Sequence, residues 1–196
     1  MTRCFLGFEL HTETRSYLKE IITEADAVLS GKMAWPVRMV PPENWHMTLL
    51  FFNSLELGER ELIWQDVEQW ATAGVWKKMR MDWRGLAIWP SPRRPGLVSC
   101  EAGVFEDSRN WPLLDKLPLE PYCKSQRAHL ERYRPHITLM RFARGSTRNL
   151  SREYSAVSGD LPSIDPARIV FDRLSFFLST TSRQAPVYPR EKSIAI

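Results

Sequence analysis

Apolar residues recur along the chain at two spacings, and the changes between them predict its elements. Residues 3–10 (Arg3-Cys4-Phe5-Leu6-Gly7-Phe8-Glu9-Leu10) alternate loosely and predict a first strand. Leu18, Ile21, Ile22, Ala25, Val28 and Leu29 then fall at helical spacing, with Thr12 or Thr14 as cap and Gly31 as stop. Pro36, Pro41 and Pro42 mark an irregular connection. The short apolar run from Trp45 to Phe52 predicts a mostly buried strand. A second amphipathic helix is predicted over 57–73, with Leu62, Ile63, Val67, Trp70 and Ala71 on its apolar face. Strands follow near 78–89 and 96–102, joined by a Pro-rich hairpin tip from Trp89 to Gly96. Leu113, Leu114 and Leu117 have helical spacing, but Pro112, Pro118 and Pro121 limit it to a short helix and a second piece near 123–131. His136–Phe142 predicts another buried strand. A polar segment covers 144–167, and two strands near 170–180 and 186–195 close the chain. Strands interspersed with helices predict an α+β fold.

Composition narrows the class. An apolar fraction of 43% over 196 residues is enough for a sizeable core and excludes wholesale disorder and a small disulfide scaffold. Cys4, Cys100 and Cys123 are scattered, odd in number and without CxxC spacing, and read as buried, reduced thiols. The apolar start Cys4–Phe8 is cut off by Glu9 and His11, too early for a signal peptide, and no stretch approaches the length of a membrane span. The expectation is a cytoplasmic protein with no membrane partner.

The most informative feature is an internal repeat. The segment His46-Met47-Thr48-Leu49-Leu50-Phe51-Phe52 aligns with His136-Ile137-Thr138-Leu139-Met140-Arg141-Phe142, 90 residues later. His, Thr, Leu and the final Phe are identical. In a strand, residues i and i+2 face the same side, so each His points with its Thr while the intervening residue points into the core. Duplication of a purely structural strand has no need to keep both polar positions. If the two strands are neighbours, two imidazoles and two hydroxyls line one cleft. That set suits phosphoryl chemistry. One imidazole takes a proton from an attacking oxygen and the other gives one to the leaving oxygen, near their ordinary pKa of ~6.5. The hydroxyls donate to non-bridging phosphate oxygens. No metal or cofactor is required. His11 and His129 lack the flanking pattern and read as surface or helix-end residues.

Charge gathers around the second copy. The chain carries 27 basic and 23 acidic residues, yet Pro121–Arg152 holds eight basic residues and a single acid, Glu131. A phosphate end or an RNA backbone is the natural counterpart. Arg141, five residues after His136, faces away from it in a regular strand; a bulge or strand end near Met140 turns it toward the phosphate. Phe51, at the matching position, has two readings, base stacking or core packing. Tyr133 and Arg134 are further candidates for base stacking and phosphate contact, and Trp45, beside His46, for shaping the site.

The contexts Glu43-Asn44-Trp45-His46-Met47-Thr48-Leu49 and Tyr133-Arg134-Pro135-His136-Ile137-Thr138-Leu139-Met140-Arg141 resemble the two-histidine (2H) phosphoesterase superfamily. Within it they look most like the RNA 2′,3′-cyclic phosphodiesterases, also called the 2′-5′ RNA ligase family. The opening strand and the closing strand pair resemble the family too. The resemblance implies one bilobal, pseudo-twofold catalytic domain over 1–196, with antiparallel sheet and outer helices in each lobe around a central cleft. It implies hydrolysis of RNA 2′,3′-cyclic phosphate ends to 2′-phosphates, and a reversible 2′-5′ joining activity. By position, His46 would be the proton donor to the departing 3′ oxygen and His136 the base for water. Thr48 and Thr138 would hold the phosphate, and Arg141 would help bind it. RNA ends or nucleotide cyclic phosphates are the expected partners, with no obligate protein partner. Two further readings stand beside this one. One keeps the chemistry on a cyclic nucleotide, a 2′-5′ oligonucleotide or an ADP-ribose cyclic phosphate; the other is a non-catalytic RNA-end binder.

Overall fold

The computed structural model describes residues 2–32, 37–74, 81–91, 94–102, 134–142, 158–181 and 186–196. The strands are β1 (Thr2–Leu10), β2 (Val37–Met39), β3 (His46–Leu55), β4 (Trp83–Ser91), β5 (Arg94–Ala102), β6 (His136–Phe142), β7 (Phe171–Leu178), β8 (Thr180–Thr181), β9 (Pro186–Val187) and β10 (Arg190–Ala195). The helices are α1 (Thr12–Lys32) and α2 (Leu57–Thr72). Eight strands form one antiparallel sheet in the order β10-β7-β1-β3-β6-β5-β4, with β2 on β6; β8 and β9 form a separate ribbon. The fold is α+β, as the alternation of spacings predicts.

Alternation gives the sheet two unlike faces. Cys4, Leu6, Phe8, Met47, Leu50, Phe52, Val98, Cys100, Ile137, Met140, Leu174 and Phe176 join the buried faces of α1 and α2 in one core. Each large apolar side chain buried there contributes roughly 1.5–3 kcal/mol before the entropy of ordering. The opposite face carries Phe5, Gly7 and Glu9 of β1, and beside them His46 and Thr48 of β3. In the second half it carries Ser99 and Glu101 of β5 beside Thr138 and His136 of β6.

Several expectations are corrected. α1 begins at Thr12, so neither threonine caps it; His11 Nδ1 accepts from the Glu13 amide instead, at 3.4 Å. Thr14 Oγ1 donates to the Arg168 carbonyl at 2.8 Å and accepts from the Val170 amide at 3.0 Å, tying α1 to the entry of β7. Gly31 does not stop the helix, which continues to Lys32. On α2, Leu62 is exposed and Trp64 is buried, because Trp64 has a polar outlet: its Nε1 donates to Glu68 one turn on, at 2.7 Å. Cys4 and Cys100 are buried, and burial pushes both thiols up, Cys4 to about 11. Cys123, His129, Tyr133 and the segment predicted as short helices near 113–131 lie outside the described residues.

Candidate active site

β3 and β6 are neighbours and antiparallel, joined at Met47 and Ile137. That register sets Thr138 across from His46 and Thr48 across from His136. The inward residues Met47 and Ile137 are fully buried, while all four polar residues are partly exposed. Directly opposed residues on such strands have Cα atoms ~4.5–5.5 Å apart. The two His-x-Thr pairs, distant in sequence, therefore form one compact, solvent-reachable quartet. Beyond this pair the strands diverge, and β2 takes up the same edge of β6, with Val37 opposite Phe142 and Met39 opposite Met140.

Both imidazoles are held by the same local device. His46 Nδ1 lies 2.8 Å from the Asn44 carbonyl, and His136 Nδ1 lies 2.9 Å from the Arg134 carbonyl. A carbonyl can only accept, so each Nδ1 carries the hydrogen and each Nε2 is left to exchange protons with a substrate. Sequence makes the first carbonyl available. Pro41 and Pro42 start a single 3-10 turn, closed by the Asn44 amide on the Pro41 carbonyl at 2.8 Å. Trp45, buried, anchors that turn by donating from Nε1 to the Val40 carbonyl at 2.8 Å. Its part in the site is thus to fix the chain beside His46 from below.

Each strand then bulges at the same place. In β3, Thr48 pairs with Gly7 and Leu50 with Leu6, so Leu49 is extra. In β6, Thr138 pairs with Ser99 and Met140 with Val98, so Leu139 is extra. Both extra leucines are fully buried. A bulge reverses parity, so Arg141 and Phe51 come to the face of the histidines. Arg141 is close enough to press on both imidazoles electrostatically. Phe51 is 37% exposed and stands outside the apolar core, its ring 6.4 Å from that of Phe5.

The two imidazoles sit in unlike surroundings. His46 stacks on Phe5 at 4.7 Å and meets the Tyr188 ring edge-on at 5.3 Å and the tilted Phe177 ring at 5.7 Å. That desolvation holds its pKa down at about 4, helped by His136 and Arg141 and opposed by the Asn44 carbonyl and Glu9. His136 is also lowered, first by burial, with Arg134 and Arg141 assisting and the Arg134 carbonyl and Glu101 opposing.

A glutamate lies across from each histidine: Glu9 from His46 and Glu101 from His136. Glu9 is buried and accepts from Ser175 and, at 2.7 Å, from Arg190. Both carboxylate oxygens of Glu101 accept from Arg134 Nη2, at 3.0 and 2.8 Å. Arg134 is thereby engaged by a carboxylate through one of its nitrogens. Of the predicted residues, His46, Thr48, His136, Thr138, Arg141 and Phe51 share the groove face, and Tyr133 lies outside the described residues. Phe5, Phe177, Tyr188, Glu9 and Glu101 were missed. Glu9 had one available signal, a charge inside an otherwise apolar strand.

The described chain thus pairs two bulged His-x-Thr strands at the centre of an antiparallel sheet, and known proteins share both its sequence pattern and its fold. Its sequence is 28% identical over 161 residues to the RNA 2′,3′-cyclic phosphodiesterase of Archaeoglobus fulgidus, covering 80% of this chain and 82% of that protein. Its fold matches that of TT0787 of Thermus thermophilus with a TM-score of 0.59 and 18% identity, over 98% and 97% of the two chains. It also matches Escherichia coli LigT, solved with 3′-AMP, with a TM-score of 0.54 and 18% identity, over 100% and 97%. No family model matches the chain. Among the described residues, no helix is long and apolar enough to cross a membrane.

Proposed function

We propose that the chain is an RNA 2′,3′-cyclic phosphodiesterase, working as a single bilobal catalytic unit. The observation that carries the reading is the Met47–Ile137 register, which makes one quartet of His46, Thr138, Thr48 and His136. The kinship with the Archaeoglobus enzyme supports the substrate class. His136 Nε2 takes a proton from water as its oxygen forms a bond to phosphorus. The bond from phosphorus to the 3′ oxygen breaks, and His46 Nε2–H supplies that oxygen's proton. The product is a 2′-phosphate and a 3′-hydroxyl, and the two imidazoles return to their starting states by exchange with solvent. Thr48, Thr138 and Arg141 donate to the phosphate oxygens, where charge builds. With a 5′-hydroxyl in place of water, the same steps give 2′-5′ joining, and their reversal cleaves that linkage. A non-catalytic end binder is the weaker reading, because binding needs no matched Nδ1 tethers on two imidazoles.

The test is incubation with an oligoribonucleotide ending in a 2′,3′-cyclic phosphate and identification of the phosphate position in the product. A 2′-phosphate is expected, at a rate unchanged by EDTA, since the quartet needs no metal. A 3′-phosphate, or complete loss with EDTA, would refute the mechanism. Running the cyclic mononucleotide beside the oligonucleotide separates RNA ends from free nucleotides as substrate.

The pH profile has a predictable sign. In the free protein burial holds His46, the donor, down at about 4, and His136, the base, is also below its ordinary value. The free-enzyme profile, kcat/KM, needs one protonated and the other not, so its optimum is expected on the acid side of ~6.5. An anionic phosphate in the groove favours the imidazolium, so the kcat profile should lie at higher pH than that of kcat/KM. Coincident profiles centred above neutrality would contradict this assignment.

A further inference from the structure

The short strand β2 brings a second arginine to the groove. Arg38 pairs directly across from Arg141, while β5 occupies the other edge of β6. The two guanidinium-bearing residues share a small pocket of about 100 Å³ with Asn44 and Tyr188. That pocket adjoins the reacting groups. The Asn44 carbonyl accepts from His46 Nδ1, and Tyr188 meets the His46 ring. None of the described residues lining it is acidic. A phosphate group is a natural ligand for a guanidinium set at the rim of such a pocket. Arg141 shares the face of both imidazoles and lies near them, while Arg38 stands one strand further out. On a terminal nucleotide that ends in a cyclic phosphate, the only other phosphate is on its 5′ oxygen.

We infer that Arg38, beside the reacting phosphate's Arg141, provides a second phosphate subsite that receives the 5′-phosphate group of the reacting nucleotide. The inference rests on the cyclic-phosphodiesterase reading, and it makes the chain selective for RNA ends and 5′-phosphorylated nucleotides over nucleosides that carry only the cyclic phosphate.

Calorimetric binding of adenosine 2′,5′-bisphosphate and adenosine 2′-monophosphate to the whole protein, at one fixed salt concentration, tests it. The wild type is expected to prefer the bisphosphate by roughly tenfold or more, the usual scale for a charged hydrogen bond. Arg38→Ala should bring the ratio of the two affinities toward one, and Arg38→Lys should keep part of it. Arg38 is exposed, so both variants are expected to fold, and their melting curves check this. A wild type without preference, or a ratio unchanged in Arg38→Ala, overturns the subsite. Turnover of an oligoribonucleotide ending in a 2′,3′-cyclic phosphate by the wild type is read in parallel. Turnover with an unchanged ratio sinks the subsite and leaves the phosphodiesterase standing. No turnover of the oligoribonucleotide with a ratio that collapses sinks the phosphodiesterase and keeps the subsite.

Discussion

Replacing His46 or His136 by alanine is expected to slow hydrolysis of a 2′,3′-cyclic phosphate by roughly 10²–10⁴ each. The loss should fall on kcat, because proton transfer is needed in the transition state, whereas the phosphate contacts proposed for Thr48, Thr138 and Arg141 would persist in the bound ground state. The double variant should be little worse than the slower single one. Once either proton transfer is gone, the other no longer completes a concerted displacement. The two variants should differ in one respect. His46 is packed among Phe5, Phe177 and Tyr188, so its removal also leaves a gap in an aromatic cluster and should lower the melting temperature. His136 stands on the neighbouring strand, beside Glu101 rather than inside that cluster, and its variant should melt closer to the wild type. Turnover within tenfold of wild type for either variant, with fold retained, would remove that histidine from the mechanism.

How much of this was legible depends on whether the information is periodic or depends on register. The strand from His136 to Phe142 was predicted with its observed bounds, because an apolar run between turn-formers carries its own limits. The shared face of each His and Thr followed from i, i+2 parity, whereas the pairing of the two strands stood only as a condition that the register meets. The bulge was legible only as a condition. Arg141 has the wrong parity for the groove, and the extra residue at Leu139 corrects it. That Leu49 does the same in the first copy could not be read, since the sequence gives no sign of which residue leaves the ladder. Glu9 and Glu101 were missed for the same reason: their meaning lies in the partner across the strand, and cross-strand register is not written locally. The aromatic wall around His46 draws Phe5 from one end of the chain and Tyr188 from the other, so no local pattern announces it. On α2 the error was of a different kind. Leu62 fits the apolar spacing, but Trp64 has both the larger apolar area and a partner in Glu68 for its N–H.

Gly7 is expected to be as sensitive as a catalytic residue, although it has no side chain. It lies on the groove face of β1, across from Thr48 and two residues from both Phe5 and Glu9. A Cβ built there would stand 3.1 Å from the Met47 carbonyl oxygen, 3.5 Å from the Phe5 ring and 3.6 Å from Cδ2 of His46. The first distance is too short to accept unchanged, and the neighbour that must give is backbone in the strand carrying the quartet. The other two contacts mean that any branch beyond Cβ pushes on the stacked imidazole itself. Gly7→Val therefore has two costs. It forces β1 and β3 apart at the Thr48 register, and it displaces His46 from the line between the Asn44 carbonyl and the substrate. A misplacement of ~1 Å in such a site can cost on the order of 10²-fold in rate. Gly7→Ala should be milder, because only the 3.1 Å contact is tight. The expected series is wild type, then alanine, then valine, with activity falling faster than melting temperature. Activity unaltered in a folded Gly7→Val would show that β1 does not hold His46 in its working position. That result would take the first strand out of the site altogether.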